Sequence, residues 1–113
     1  MLRNLLQEIS NNRFKCQAII QGRDAVYFET FSWDSLRLSR YFSLLSENKQ
    51  LVSDLYNLYL SIYAGNIRVA AFLTAIDSQI RNLNSASATM SSTAGVVLRD
   101  FINIDLLPKL NTI

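Results

Sequence analysis

The sequence predicts an all-α domain, an antiparallel three- or four-helix bundle with two long helices, a short buried helix and a C-terminal helix. Apolar residues recur at spacings of three and four over two long segments, residues 1–21 and 48–83. A β-favouring run, "AVYFE" at residues 25–29, has no second run to pair with. Half of the 113 residues are hydrophobic and 18% are charged, which suits a single domain, residues 1–113, with one core.

The first helix is expected to span residues 1–21 and to bury one stripe. Gly22 stands where a left-handed C-terminal cap belongs, and an extended loop should follow at residues 25–29. Leu2 already belongs to the apolar repeat, with no capping residue ahead of it. The chain is therefore expected to be a fragment truncated at its N-terminus. The stripe has heptad spacing and consists of Leu2, Leu5, Ile9, Asn12, Cys16 and Ile19.

The second helix should begin at a cap formed by Thr30 or Ser32 and run, well buried, to about Ser46. It carries Trp33, the single tryptophan of the chain. The third helix follows from Asn48 to residue 83, and its seam is expected to face that of the first helix. The seam consists of Leu51, Leu55, Leu58, Ile62, Asn66, Val69, Leu73, Ile76, Ile80 and Leu83.

The end of the sequence predicts a loop and one more helix. Residues 84–95, "NSASATMSSTAG", are small and polar, as loops are. The helix after them should stop where Pro108 forbids its ordinary continuation, and Asp105 can cap a last turn. Gly65, beside a break in the 3,4 spacing, predicts a bend or a close crossing in the preceding long helix.

Asn12 and Asn66 interrupt the two apolar seams in mid-helix, where an unpaired buried amide costs roughly 1 to 3 kcal/mol. They are expected to bond each other, the Trp33 indole or a backbone group, and to fix the register of the helices. The other interpretation is a polar pocket formed by Asn12, Trp33 and Asn66. Tyr56 and Tyr63, with Tyr59 between them, form a helical stripe and a candidate oligomer interface.

Several classes of function are disfavoured by composition. The chain has no histidine, so the commonest general base and metal ligand is missing, and its three glycines form no phosphate-binding loop. We therefore predict no catalytic residues, no metal and no cofactor. The 11 basic and 9 acidic residues form no run, so a nucleic-acid partner is not expected. Cys16, the single cysteine, should be a buried free thiol.

Three groups of residues resemble uncharacterised bacterial and archaeal proteins in which a membrane-spanning helix continues into a small cytoplasmic helical domain. The resemblance covers about residues 2–70 and follows the pattern F-x-T-x-x-W, then L-Y-x-x-I-x-x-x-N, with a Glu and an Asn four apart ahead of it. Tyr56 is a second match for the tyrosine of this pattern, but in that alignment the number of residues before Asn66 is wrong. The residues that match are Glu8, Asn12, Phe28, Thr30, Trp33, Leu55, Tyr59, Ile62 and Asn66.

The resemblance implies a helical domain of unassigned activity on the cytoplasmic side of a membrane, tethered by a segment ahead of Met1. Together with the apolar composition, it predicts a structural or protein–protein interaction module that forms homo-oligomers. The alternative is a domain that binds a small ligand in an interhelical pocket near Trp33. We expect no enzymatic activity.

Overall fold

The computed structural model describes residues 2–23, 25–40, 42–45, 47–82 and 85–113, with side chains described outside residues 82–90. Most of these residues lie in helices, and none of them forms a strand. The predicted all-α class is therefore confirmed for the part of the chain that the structure describes.

Helix α1 spans Leu2–Ile20, close to the predicted bounds. Five of the six predicted stripe positions are buried, whereas Leu2 is 54% exposed. Gly22 adopts a φ of 77°, which side chains other than glycine rarely tolerate. Its N–H donates to the carbonyl of Ile19 over 3.1 Å, and the N–H of Arg23 donates to that of Ala18 over 2.9 Å. The predicted left-handed cap of α1 is confirmed.

The second predicted helix is two short helices. The loop predicted at residues 25–29 is part of a segment without helix or strand, residues 25–30, hereafter the crossing segment, which leads into α2, Phe31–Arg37. A turn separates α2 from α3, Phe42–Leu45, so the expectation of one buried helix is wrong. Ser39 contributes to the break, because its hydroxyl and N–H both donate to the carbonyl of Leu36. The predicted end at Ser46 lies outside the described residues.

Helix α4 spans Lys49–Asn82 and confirms the prediction of one long helix. Its 34 residues measure about 51 Å, which sets the 54 Å length of the molecule. The side chains of its seam are buried in the first half, but Ile80 is 67% exposed, and Leu83 lies outside the described residues. By length and composition alone α4 could also cross a membrane, a test that core helices of soluble proteins pass as well.

Helix α5 spans Ser85–Phe101, so the prediction of a loop over residues 84–95 is wrong from Ser85 onwards. Alanine and serine are small residues with acceptable helix propensity, and packing against α4 decides the outcome. Gly95 shows how close this packing is. A Cβ atom at this position would lie 3.0 Å from the ring of Phe72.

Pro108 does not end the helical path. The chain continues from α5 through a π-helix, Ile102–Leu106, into α6, Leu107–Thr112. The N–H of Leu107 donates to the carbonyl of Ile102, five residues earlier, and this wider turn places Pro108 in the first turn of α6, where no N–H is needed. The predicted cap at Asp105 is wrong, since no side chain caps α6.

The helices share one core around the crossing segment. α5 and the π-helix run back along α4, as the contacts of Gly95 with Phe72 and of Gly65 with Phe101 show. α1 packs against α2, α6 and the π-helix. The expected direct contact between the seams of α1 and α4 is wrong in their middle parts, because the crossing segment separates them there.

Candidate functional site

Glu8 is the charged residue at the centre of the core, and only 3% of it is exposed. Its carboxylate accepts the backbone N–H of Ser32 over 2.6 Å and that of Trp33 over 3.3 Å, both in the first turn of α2. It also accepts the hydroxyl of Tyr59 over 2.7 Å. Glu8 thus supplies the cap expected from Thr30 or Ser32, since the Thr30 side chain makes no capping bond.

The crossing segment is held by two asparagines on opposite sides. Asn12 on α1 accepts the N–H of Glu29 over 2.7 Å and donates to its carbonyl over 2.9 Å. Asn66 on α4 pairs in the same way with Phe28, over 2.7 and 3.1 Å. Successive residues of an extended chain direct their N–H and C=O groups to opposite sides. The two amides therefore replace the neighbouring strands that this segment lacks.

Gly65 makes room for the crossing segment on the surface of α4. A Cβ atom at Gly65 would lie 3.1 Å from the ring of Phe28, which is 4% exposed, and 3.4 Å from that of Phe101. The close crossing expected at Gly65 is therefore made by the ring of Phe28, which packs against the backbone of α4. On the other side, Lys15 of α1 donates to the carbonyl of Tyr27 over 2.9 Å.

We expect Asn12→Leu to lower the free energy of unfolding by about 2 kcal/mol, because the N–H and C=O of Glu29 would lose their partner. Helix content should not change, since α1 tolerates leucine. Urea unfolding and far-UV circular dichroism measure the two quantities. Asn4→Leu on the exposed side of α1 is the matched control, and an equal effect of both substitutions would contradict the role of Asn12.

Trp33 forms the centre of an aromatic cluster and is 1% exposed. Its ring stacks on Tyr59 with 5.0 Å between centroids and an interplanar angle of 12°. The rings of Tyr56 and Phe42 meet it edge-on at 5.1 and 6.3 Å. These contacts join α2, α3 and α4, so Trp33 acts as an anchor of the core.

The three tyrosines of the predicted interface have different surroundings. Tyr59 is fully buried within one chain, so the expectation that it lies at an oligomer boundary is wrong. Burial, and secondly the hydrogen bond to Glu8, raises the pKa of Tyr59 far above its usual range. Tyr63 donates to Asp34, and burial together with this bond raises the pKa of Tyr63 to about 12. Tyr56 is 39% exposed.

The free energy of unfolding should fall at alkaline pH because of Tyr59, Tyr63 and Cys16. Tyr59, Tyr63 and Cys16, whose pKa burial raises to about 12, all hold their protons more tightly in the folded chain. Their contribution to the free energy of unfolding is complete below the ordinary pKa values, 9.0 for cysteine and 10.0 for tyrosine. It is lost as the pH rises towards 12. Urea unfolding at several pH values measures the slope of the free energy of unfolding against pH. Tyr59→Phe should make that slope shallower, and an unchanged slope would contradict the assignment.

A second polar cluster joins α4 to the C-terminal helices and was not foreseen. The Nζ atom of Lys109 lies 2.6 Å from the hydroxyl of Ser61 and 2.8 Å from the carboxylate of Asp105. The hydrogen bond from Lys109 lowers the pKa of Asp105. A serine beside a lysine can be a nucleophile with its base, but the amine of this lysine is already paired with the carboxylate of Asp105. The cluster is best explained as a structural link.

The outward side of α4 has an unusual composition. Between Leu55 and Ile76 the helix carries a single charged residue, Arg68, and the guanidinium of Arg68 lies 4.1 Å above the ring of Phe101. Leu60 and Ile67 are 64% and 70% exposed. The outer face of α4 is defined here as the exposed residues Tyr56, Leu60, Ile67, Ala71 and Thr74.

The structure brings the sequence-predicted residues Asn12, Trp33 and Asn66 around the crossing segment and α2. Both amides are engaged with the backbone of Phe28 and Glu29, one of the expected arrangements, and not with each other. Glu8 was missed as a member of this group. The signal for it was present, because Glu8 lies one turn before Asn12 and beside Ile9 on the buried stripe.

Among the described residues, no three His, Cys, Asp or Glu side chains are arranged as metal ligands. Every buried polar side-chain atom among the described residues has a hydrogen-bond partner, so these bonds fix how the helices pack. Comparisons with protein-family models, with curated proteins and with solved structures found no match.

Proposed function

We propose that the chain is a structural interaction module, an antiparallel helical bundle whose copies associate through the outer face of α4. The observation that carries the proposal is the absence of charge from this face over about five helical turns. A soluble monomer rarely leaves such an apolar stripe in water.

A second copy of the chain is the partner that fits best. The same uncharged face can meet its own copy about a two-fold axis without like-charge repulsion. Leu60 and Ile67 are seven residues apart, the spacing of a heptad contact, and Ala71 is small enough for close helix packing. Tyr56 adds an aromatic edge to the contact, and Tyr63 lies next to the same face.

Sedimentation equilibrium tests this proposal. The chain should sediment above the 12.9 kDa monomer, with a dissociation constant in the micromolar range, and Ile67→Glu should return it to the monomer. Phe14→Glu is the matched control, because Phe14 is 68% exposed on α1, away from α4, and this variant should assemble as before. A concentration-independent monomer, or equal effects of both variants, would rule the proposal out.

Membrane attachment is the second part of the proposal. It is supported by the resemblance and by the exposed Leu2 and Leu6 at the start of α1. The tether would be a membrane-spanning helix ahead of Met1, with the domain on the cytoplasmic side. The full gene sequence tests this, since about 20 predominantly apolar residues are needed there.

An apolar cleft favours small-ligand binding as the other candidate function. Its volume is about 180 Å³, and Leu5, Ile9 and Leu55 form its buried part. Aliphatic cavities of about 150 Å³ can bind benzene. The cleft lies one helical turn from Tyr59, so Trp33 fluorescence should respond when benzene binds. Leu51→Phe should fill the cleft and abolish the response, while the same response in this variant would place binding elsewhere.

A further inference from the structure

A small cavity at the C-terminal end of α1 is lined by two arginines and, among the described residues, by no acidic one. Its volume is about 70 Å³. The lining residues come from α1, its cap, α4 and α5. They are Ile19, Gly22, Arg23, Ala25, Phe72, Gly95, Leu98 and Arg99.

The guanidinium of Arg99 lies beside Gly95, and both residues line this cavity. The two terminal nitrogen atoms of Arg99 lie 3.5 and 3.6 Å from the place where a Cβ atom of Gly95 would stand. The guanidinium therefore packs beside the backbone of α5, at a distance where an added Cβ atom would make ordinary van der Waals contact with it. Gly95 is fully inside a helix, where glycine costs roughly 1 kcal/mol relative to alanine in propensity.

Arg23 reaches the same cavity from a fixed backbone. It follows Gly22 directly, and its N–H is bonded to the carbonyl of Ala18 in the cap of α1. Arg23 and Arg99 thus project from two rigid elements that are far apart in sequence. Two cations that share one cavity repel each other, and none of the described residues that line this cavity carries a negative charge.

We propose that Arg23 and Arg99 together bind one small oxyanion, a carboxylate or a phosphate group. The planar fork of a guanidinium matches the oxygen atoms of either group in a bidentate manner. A cavity of about 70 Å³ has room for little more than two water volumes of about 30 Å³, so it accepts a single head group. Ile19, Phe72 and Leu98 form an apolar floor that weakens competition from water.

Amide NMR of the whole chain at low ionic strength tests this site, with sodium phosphate and sodium acetate titrated separately against sodium chloride. We expect the amides of Gly22, Gly95 and Arg99 to shift and saturate, with a dissociation constant on the order of 1 mM for the preferred anion. The comparison of the two titrations identifies the head group. Arg99→Gln should weaken binding at least tenfold.

Arg3→Gln is the matched control, because it removes the same charge from an exposed position at the other end of α1. It should leave the affinity within twofold of the original. Two results overturn the proposal: shifts that do not saturate with either anion, or saturation that persists in Arg99→Gln. Arg23 would then act only as a counter-charge to the C-terminus of α1.

Discussion

Replacing Trp33 with alanine should lower the free energy of unfolding by about 3 to 5 kcal/mol. The indole is 1% exposed and contacts three aromatic rings, so its removal leaves a cavity that rigid neighbours cannot close. Tyr59 would lose the ring on which it stacks, in addition to the area that Trp33 buries. Urea unfolding followed by far-UV circular dichroism measures this change without relying on the lost fluorophore.

Phe31→Ala is the matched control in the same helix. Phe31 is 78% exposed, although it is also a large aromatic residue two positions from Trp33. The loss there should stay within about 0.5 kcal/mol, as at most surface positions. A loss under about 1 kcal/mol for Trp33→Ala would mean that its surroundings collapse into the space, and the role of Trp33 as an anchor would be wrong.

The elements with strong periodicity were predictable from the sequence. The seam of α4 repeats over nearly ten turns, and α1 combines a clear stripe with Gly22 as its cap, so both were placed within a few residues. The crossing segment was also predicted as a loop, because a single β-favouring run has no partner. What the sequence did not disclose is how such a segment satisfies its backbone, which depends on Asn12 and Asn66 from two distant helices.

The errors have a common physical cause, which is that tertiary contacts override local preference. Residues 85–95 have the composition of a loop, yet they are helical where α5 packs on α4. The first turn of α2 was expected to be capped by a neighbouring hydroxyl, but the cap is a carboxylate 24 residues away in the chain. Local sequence windows contain neither contact. For the same reason the two-arginine cavity was not predicted, since Arg23 follows the cap of α1 and Arg99 lies far along the chain in α5.

In the proposed module, the core and the outer face of α4 have separate tasks. Glu8, Asn12 and Asn66 use their polar groups on the backbone of their own chain, so they determine the position of the crossing segment and of α2. This fixed arrangement leaves Leu60 and Ile67 on the opposite side of α4. Substitutions in the polar core should therefore change stability first, whereas substitutions on the outer face should change association with little loss of stability.

Glu8→Gln should lower the free energy of unfolding by about 3 kcal/mol, the largest effect expected for any polar substitution in this chain. The carboxylate receives three hydrogen bonds at one buried point, from Ser32, Trp33 and Tyr59. An amide offers one acceptor oxygen, and it turns an NH₂ group towards donors that have no other partner. Hydrogen bonds to a charged acceptor contribute about 1.5 to 3 kcal/mol each. The free energy of unfolding should therefore fall substantially even if the groups around residue 8 partly rearrange.

A double-mutant cycle with Tyr59→Phe separates the capping bonds from the bond to the tyrosine. If the hydroxyl of Tyr59 is bound by Glu8, the double variant should lose about 1 kcal/mol less than the sum of the single variants. Glu47→Gln, at an exposed position, should have an effect within about 0.5 kcal/mol and controls for the change of charge. Strict additivity would show that Glu8 and Tyr59 act independently. The stability of α2 would then depend on the packing of Trp33, because its N-terminal cap would have no measurable coupling to α4.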